Sequence, residues 1–333
     1  MKQVRRILVP VDFSRTSAAA LRAAVRIAQR TNARIDLLHV LPVPHGPVEV
    51  FRALRELRTE GSEALGGRVP AERKEHATLA AWARRAGKNV RKIGTWLAMG
   101  RPDEEIVLAA DQLGAQLIVM GTRGLNGFRG VLLGSTAAGT VRSAGVPVLT
   151  LRAGGGADLA PRCVLVADDL GPGGLAAIDA AGSMFEPGTA RIVLLHVLDP
   201  AAFAYTGISE WGWAPPPALP AGNGGGVIAA LEKRATRLRR KGFRIECAVA
   251  KGSPADTIAG VAKKSNAGAL VLATHQRTAL ARLVIGSTAE ALIRRASCPV
   301  LTVKAIRRAV RGAPSDRGAG ASEAKVEAAA AHS

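Results

Sequence analysis

A chain that repeats its own sequence in order must build the same fold twice, and this one does. Leu37-Leu38-His39-Val40-Leu41 returns as Leu194-Leu195-His196-Val197-Leu198, 157 positions on (37 to 194). Gly134-Ser135-Thr136-Ala137 returns as Gly286-Ser287-Thr288-Ala289, and Val146-Pro147-Val148-Leu149-Thr150 as Cys298-Pro299-Val300-Leu301-Thr302, both 152 positions on (134 to 286, 146 to 298). The openings agree too. Arg6-Ile7-Leu8-Val9-Pro10-Val11-Asp12 aligns with Arg162-Cys163-Val164-Leu165-Val166-Ala167-Asp168, which places an aspartate after each first strand. Two domains are expected, over 1–155 and 158–305, each of ordinary domain size. The remainder, 306–333, ends in an alanine run and reads as a disordered tail.

Each repeat alternates strand and helix signals. Strands are expected near 5–11, 34–40, 90–98, 116–121 and 147–152, with helices near 15–31, 48–87, 103–114 and 135–144. In the second repeat the strands fall near 162–167, 190–197, 243–250, 268–273 and 299–304, with helices near 173–184, 225–241, 254–265 and 287–296. The runs Ile7–Val9, Leu117–Met120, Val164–Val166 and Ala269–Leu272 are continuously apolar, as strands covered on both faces require. The fold class is therefore α/β: two tandem Rossmann-like domains, each a five-stranded parallel sheet flanked by helices. Ligands of such sheets sit outside the carboxyl ends of the strands, where Asp12, Val40 and Gly121 would all arrive.

One segment there carries chemistry. Gly121-Thr122-Arg123-Gly124, then nine residues, then Gly134-Ser135-Thr136 reads as strand end, glycine loop and helix start. Glycines let backbone N–H groups approach a ligand, and a helix start adds unpaired donors with partial positive charge, so the unit suits phosphate. No Gly-Lys-Ser/Thr and no G-x-G-x-x-G accompanies it, which excludes the two better-known phosphate loops.

The Gly-x2-Gly-x9-Gly-Ser pattern, the Ile-Leu-Val-Pro-Val-Asp opening, the Leu-Leu-His-Val second strand and the closing Val-Pro-Val-Leu together resemble the universal stress protein family, in a tandem two-domain form covering roughly 3–152 and 160–304. The resemblance implies an adenine-nucleotide-hydrolase-like domain in which many members bind ATP. Asp12 and the backbone at Val40 would hold adenine and ribose. Gly121, Arg123, Gly124, Gly134, Ser135 and Thr136 would line the ribose and phosphate side, and Pro10, Val11 and Met120 fall in the same pocket. It also implies that the last strands of the two repeats pair within the chain as a pseudo-dimer, with a homodimer possible through other surfaces.

The second repeat departs from the pattern. Thirteen residues before Gly286 stands Ala273, and the next motif glycine is Gln276. This site reads as degenerate, and the repeat as a structural partner. His39 and His196 occupy matching strand ends, where packing and a hydrogen bond explain them better than catalysis. Cys163, Cys247 and Cys298 are far apart, without metal or redox spacing, and read as reduced core residues.

The net charge of +20 comes from clusters such as Arg52, Arg55 and Arg58, and Lys233 to Lys241. No nucleic-acid motif accompanies them, so a solvated surface is expected and nucleic acid is not. No apolar run reaches the roughly 20 residues of a membrane span, and the start lacks an apolar signal segment. A cytoplasmic protein is expected. The Trp/Pro-rich stretch 205–226 reads as a surface insertion. The function expected is a nucleotide-dependent sensor or regulatory module in stress response, with ATP, and magnesium accompanying it, in the first repeat and a protein partner unspecified. Slow ATP hydrolysis or autophosphorylation, and a nucleotide-free scaffold, are the alternatives. No catalytic or metal-ligating residue is assigned.

Overall fold

A computed structural model describes residues 4–42, 70–88, 90, 92–122, 133–152, 161–200, 225–274 and 285–304. The first repeat runs β1 (Arg6–Pro10), α1 (Arg15–Thr31), β2 (Arg34–Pro42), α2 (Pro70–Gly87), β3 (Ile93–Gly100), α3 (Pro102–Leu113), β4 (Leu117–Gly121), α4 (Ser135–Ser143) and β5 (Val148–Leu151). The second runs β6 (Cys163–Ala167), α5 (Pro172–Met184), β7 (Arg191–Leu198), α6 (Gly225–Arg239), β8 (Arg244–Lys251), α7 (Pro254–Lys264), β9 (Ala269–Thr274), α8 (Ser287–Arg295) and β10 (Val300–Lys304). The third strand starts later than expected because pairing with β2 begins only at Ile93, opposite Ile35. Positions 48–69, the insertion at 205–224 and the tail lie outside the described residues.

All ten strands form one sheet in the order β3-β2-β1-β4-β5-β10-β9-β6-β7-β8. Within each repeat the pairing is parallel, and the strand order of the second mirrors the first. The repeats meet where β5 and β10 pair antiparallel, Leu149 opposite Leu301. Thr150 Oγ1 donates to the Val300 carbonyl at 3.2 Å, and Thr302 Oγ1 to that of Val148 at 3.1 Å. This reciprocity is the signature of a twofold axis inside one chain, as the sequence resemblance implies. Each edge strand thereby covers the other.

The inner strands bury both faces, so alternate residues feed two layers. Ile7 and Val9 join one, with Ala24 and Ile27 of α1, Leu79 of α2, Ile178 of α5 and Leu231 of α6. Leu8 joins the other, with Ile106 of α3, Val141 of α4, Ile258 of α7 and Leu292 of α8. Both layers run without interruption across the repeat junction.

Pairing corrects the alignment of the two openings by one residue. Ile7 lies opposite Ile35 and Val164 opposite Ile192, so Ile7 matches Val164 at the 157-residue offset. The bonds agree: Val11 N–H donates to the Leu38 carbonyl and Asp168 N–H to that of Leu195. Asp12 is therefore matched by Asp169, and Asp168 stands in the place of Val11. Identity of Arg6 with Arg162 misled the alignment, because Cys163 occupies the Arg6 register.

The substitution of a buried valine by Asp168 is balanced from α6. Leu79 and Leu231 match at the 152-residue offset, which places Arg234 where the first repeat has Trp82. Arg234 Nη1 lies 2.9 Å from Asp168 Oδ1, and the guanidinium also donates to the carbonyls of Leu170 and Gly171. Burial pushes the Asp168 carboxyl above its ordinary range, and the Arg234 charge opposes that push. In the first repeat Trp82 instead packs edge-on against Phe13, centroids 5.5 Å apart. A Cβ on Gly174 would lie 1.7 Å from Asp168 Oδ1, so the carboxylate also dictates the glycine.

Arg234→Trp alone should strand a buried carboxylate and lower the unfolding free energy by about 3 to 5 kcal/mol. Adding Asp168→Val, which installs the first repeat's apolar pair, should recover most of that loss in urea titration. Equal destabilisation of the single and double variants would show that the pair is not a coupled exchange.

Candidate functional site

The carboxyl ends of β2, β1 and β4 lie side by side. From β1 the chain passes to β2 on one flank, while β4 occupies the other, so a crevice opens between the ends of β1 and β4. Pro10 closes β1, and Val11 and Asp12 follow it; Val40 lies near the end of β2, and Met120 and Gly121 end β4. Gly134, Ser135 and Thr136 open α4, which is tied to the end of β4 by Gly134 N–H donating to the Thr122 carbonyl at 2.9 Å. The structure thus brings nine of the eleven expected residues to one edge; Arg123 and Gly124 lie outside the described residues. Val11, Val40 and Met120 are buried, and the Val11 N–H and carbonyl are already engaged by the Leu38 carbonyl and His39 Nδ1.

The start of α4 is chemically bare. Gly134 caps it in an extended conformation with no side-chain hydrogen bond, and its first turn holds no acidic residue. The other helices of this repeat with described caps are finished differently. Ser14 Oγ accepts the Ser17 N–H of α1 at 3.2 Å, and Asp103, Glu104 and Glu105 fill the first turn of α3. Unpaired N–H groups, a positive dipole end and the hydroxyls of Ser135 and Thr136 make the α4 start the fitting place for an anion.

The matching start of α8 in the second repeat also has a bare glycine cap, Gly286, but its first turn carries Glu290. A carboxylate there occupies the dipole and repels phosphate. Glu290 replaces Ala138 at the 152-residue offset, a signal that was readable in the sequence and that attention to glycines missed. Asp169, the true match of Asp12, accepts from Gly171 N–H at 3.0 Å and from Gly174 N–H at 2.8 Å. It caps α5 because Gly171 has no side chain to do so.

The first motif glycine has a different reason from the one its sequence suggests. A Cβ on Gly121 would lie 2.8 Å from the Thr16 Cβ and 3.1 Å from the Thr16 carbonyl carbon, so Gly121 is required by the close approach of α1. The second repeat exchanges the sizes: Gly173 stands for Thr16 and Ala273 for Gly121. Ala273 is therefore a packing exchange, and the loss of that glycine says nothing about phosphate. Gln276, His275 and Arg277 lie outside the described residues.

The paired histidines are structural. His39 Nδ1 bonds the Val11 carbonyl and His196 Nδ1 the Asp168 carbonyl, both at 2.7 Å. Each holds a sharp bend, whose next residues but one, Phe13 and Leu170, adopt left-handed backbone with φ of 64° and 61°. Such a conformation costs a bulky residue about 1 kcal/mol or more, and Phe13 offsets it by stacking on His39 at 4.6 Å. Burial pushes the thiols of Cys247 and Cys298 up to about 11, which leaves them protonated and unreactive. Among the described residues no cluster of His, Cys, Asp or Glu is arranged to hold a metal, and no helix is long and apolar enough to cross a membrane. A groove of about 500 Å³ lies between α1 and α2 around Trp82, away from this edge.

Comparison with known proteins adds a family. A model described as the universal stress protein family matches residues 3–152 and again 162–304. A universal stress protein of Methanocaldococcus jannaschii is 32% identical over 155 residues, covering 44% of this chain and 82% of its own. One from Bacillus subtilis is 32% identical over 161 residues, covering 44% of this chain and 98% of its own. A solved universal stress protein from Archaeoglobus fulgidus superposes with a TM-score of 0.64 at 21% identity, over 91% of this chain and 99% of that one. That last likeness is one of fold.

Gly121→Ala should destabilise the protein by about 1 to 3 kcal/mol through overpacking, and adding Thr16→Gly should restore most of it. Thermal melts of the two variants check the exchange; a Gly121→Ala protein as stable as the parent would mean that α1 can yield.

Proposed function

Because the chain belongs to the universal stress protein family, we propose that its first repeat binds ATP or a related adenine nucleotide at the edge of β1, β2 and β4, and that occupancy biases a conformation or a protein partner. The observation that carries this reading is the bare start of α4, held against β4 beside Asp12 and the end of β2. Phosphates would rest on the N–H groups of the first turn and on the hydroxyls of Ser135 and Thr136. Adenine and ribose would lie along Pro10, Val11, Asp12 and the Val40 backbone, which offers amide and carbonyl groups without a side chain in the way. Arg123 and Gly124 would complete the phosphate side. Magnesium, where it accompanies the nucleotide, neutralises phosphate charge. A cytoplasmic setting suits a nucleotide ligand of this kind.

The second repeat serves as the structural partner in this reading. Glu290 at the α8 start and Asp169 engaged in capping α5 both disfavour a bound phosphate.

Sensing fits the residues better than turnover. A hydrolase must position a water and stabilise charge on the transferred group, whereas a sensor needs only unequal affinity for two conformations. The first turn of α4 supplies hydroxyls and no carboxylate, and the His39 Nδ1 is committed to the Val11 carbonyl. Calorimetric titration should find one ATP per chain. Ala138→Glu, which copies Glu290 into α4, should weaken binding by about tenfold, within the 2 kcal/mol reach of a charge at a helix end. Unchanged affinity would remove α4 from the site. Under single-turnover conditions, phosphate release should stay below roughly one per minute, against a median of about 10 per second for enzymes. Rapid release abolished by Ser135→Ala would establish the enzyme instead.

A further inference from the structure

The two repeats finish the crossing of their first helix pair differently. In the second, α5 and α6 are joined across it: Arg237 of α6 lies 3.0 Å from Asp179 of α5, and Leu238 covers Gly182, where an added Cβ would stand 2.5 Å from Leu238 Cδ2. The matching residues of the first repeat are Arg22 and Val25 on α1 (22 to 179, 25 to 182) and Arg85 and Ala86 on α2 (85 to 237, 86 to 238). Val25 and Ala86 only move bulk from one helix to the other. Arg22 does more, because it puts a cation where the second repeat has the carboxylate. Both arginines line the groove of about 500 Å³, with Leu21, Val25, Trp82 and Ala86 as its apolar surface. No carboxylate lines it among the described residues, and neither Arg22 nor Arg85 makes an ion pair or hydrogen bond among them. The α2 dipole accommodates Arg85 in its last turn, whereas Arg22 stands midway along α1. The groove is left with two like charges that repel each other.

We propose that this groove binds a small apolar carboxylate, with its anionic end between Arg22 and Arg85 and its apolar body along Leu21, Val25, Trp82 and Ala86. Charge identifies the occupant. A guanidinium fork meets a carboxylate through two parallel bonds, and a ligand carboxylate between two forks takes the place of the Asp179 that the second repeat supplies from its own chain. An apolar cation is repelled by the same pair. An anion without an apolar body leaves the greasy surface in water. Trp82 is fixed edge-on against Phe13, so the wall of the site stands before a ligand arrives. The volume falls within the range of roughly 300 to 1,000 Å³ typical of small-molecule sites. The groove lies away from the edge of β1, β2 and β4, and its ligand does not depend on a nucleotide there.

Calorimetric titration of the full-length protein with decanoate, below the concentration at which it forms micelles, tests the proposal. One decanoate should bind per chain, with decanol and acetate each weaker by about tenfold or more and decylamine not binding. Arg22→Asp offers Arg85 the pairing that the second repeat already uses, so it should leave the melting curve unchanged or raised while weakening decanoate by about tenfold. Arg85→Gln should weaken decanoate without introducing a new charge. A wild type that does not bind decanoate, decanol or acetate binding as tightly as decanoate, or an Arg22→Asp protein with the parent's affinity would each overturn the proposal. So would a wild-type dimer that Arg22→Asp dissociates in sedimentation, because a second copy of the chain would then be the occupant.

Discussion

Three residue pairs between β5 and β10 join the sheets of the two repeats into one. Each repeat alone would end in an uncovered strand of apolar residues; joined, they make one sheet whose two hydrophobic layers cross the seam without a break. Everything that distinguishes the repeats is built on that shared frame. Because the frame is common, a change on one side can be compared, residue for residue, with its match on the other.

That comparison separates two kinds of divergence. Some differences are exchanges that leave the fold equally well packed: Thr16 with Gly121 against Gly173 with Ala273, and Val11 with Trp82 against Asp168 with Arg234. A buried carboxylate needs its cation as surely as a wide side chain needs a glycine opposite. Other differences change what the edge can do. Glu290 for Ala138 alters the field at a helix start, and Gly171 for Ser14 turns the preceding Asp169 into a cap.

The architecture was legible because continuous apolar runs and helix-length spacing survive duplication, and because the order of motifs is specific even where each motif is weak. The edge that gathers Asp12, Val40, Gly121 and Ser135 follows from strand order alone. What escaped was pairwise. Ala273 looked like decay of a motif because its partner is a hundred residues away in sequence, at Gly173, and in contact only through the fold. Asp168 looked like the match of Asp12 because a shared arginine suggested the wrong register, which only strand pairing corrects. The helix-start charge was visible in sequence, but its meaning needs the knowledge that Gly134 supplies no cap.

The antiparallel seam has a geometric consequence. Parallel strands in each repeat point their carboxyl ends one way, and reversing direction at β5 and β10 points those of the second repeat the opposite way. The two edges open on opposite sides of the slab, as far apart as its thickness along the strands allows. A single small ligand therefore never bridges them, and each edge meets its own side of the solvent.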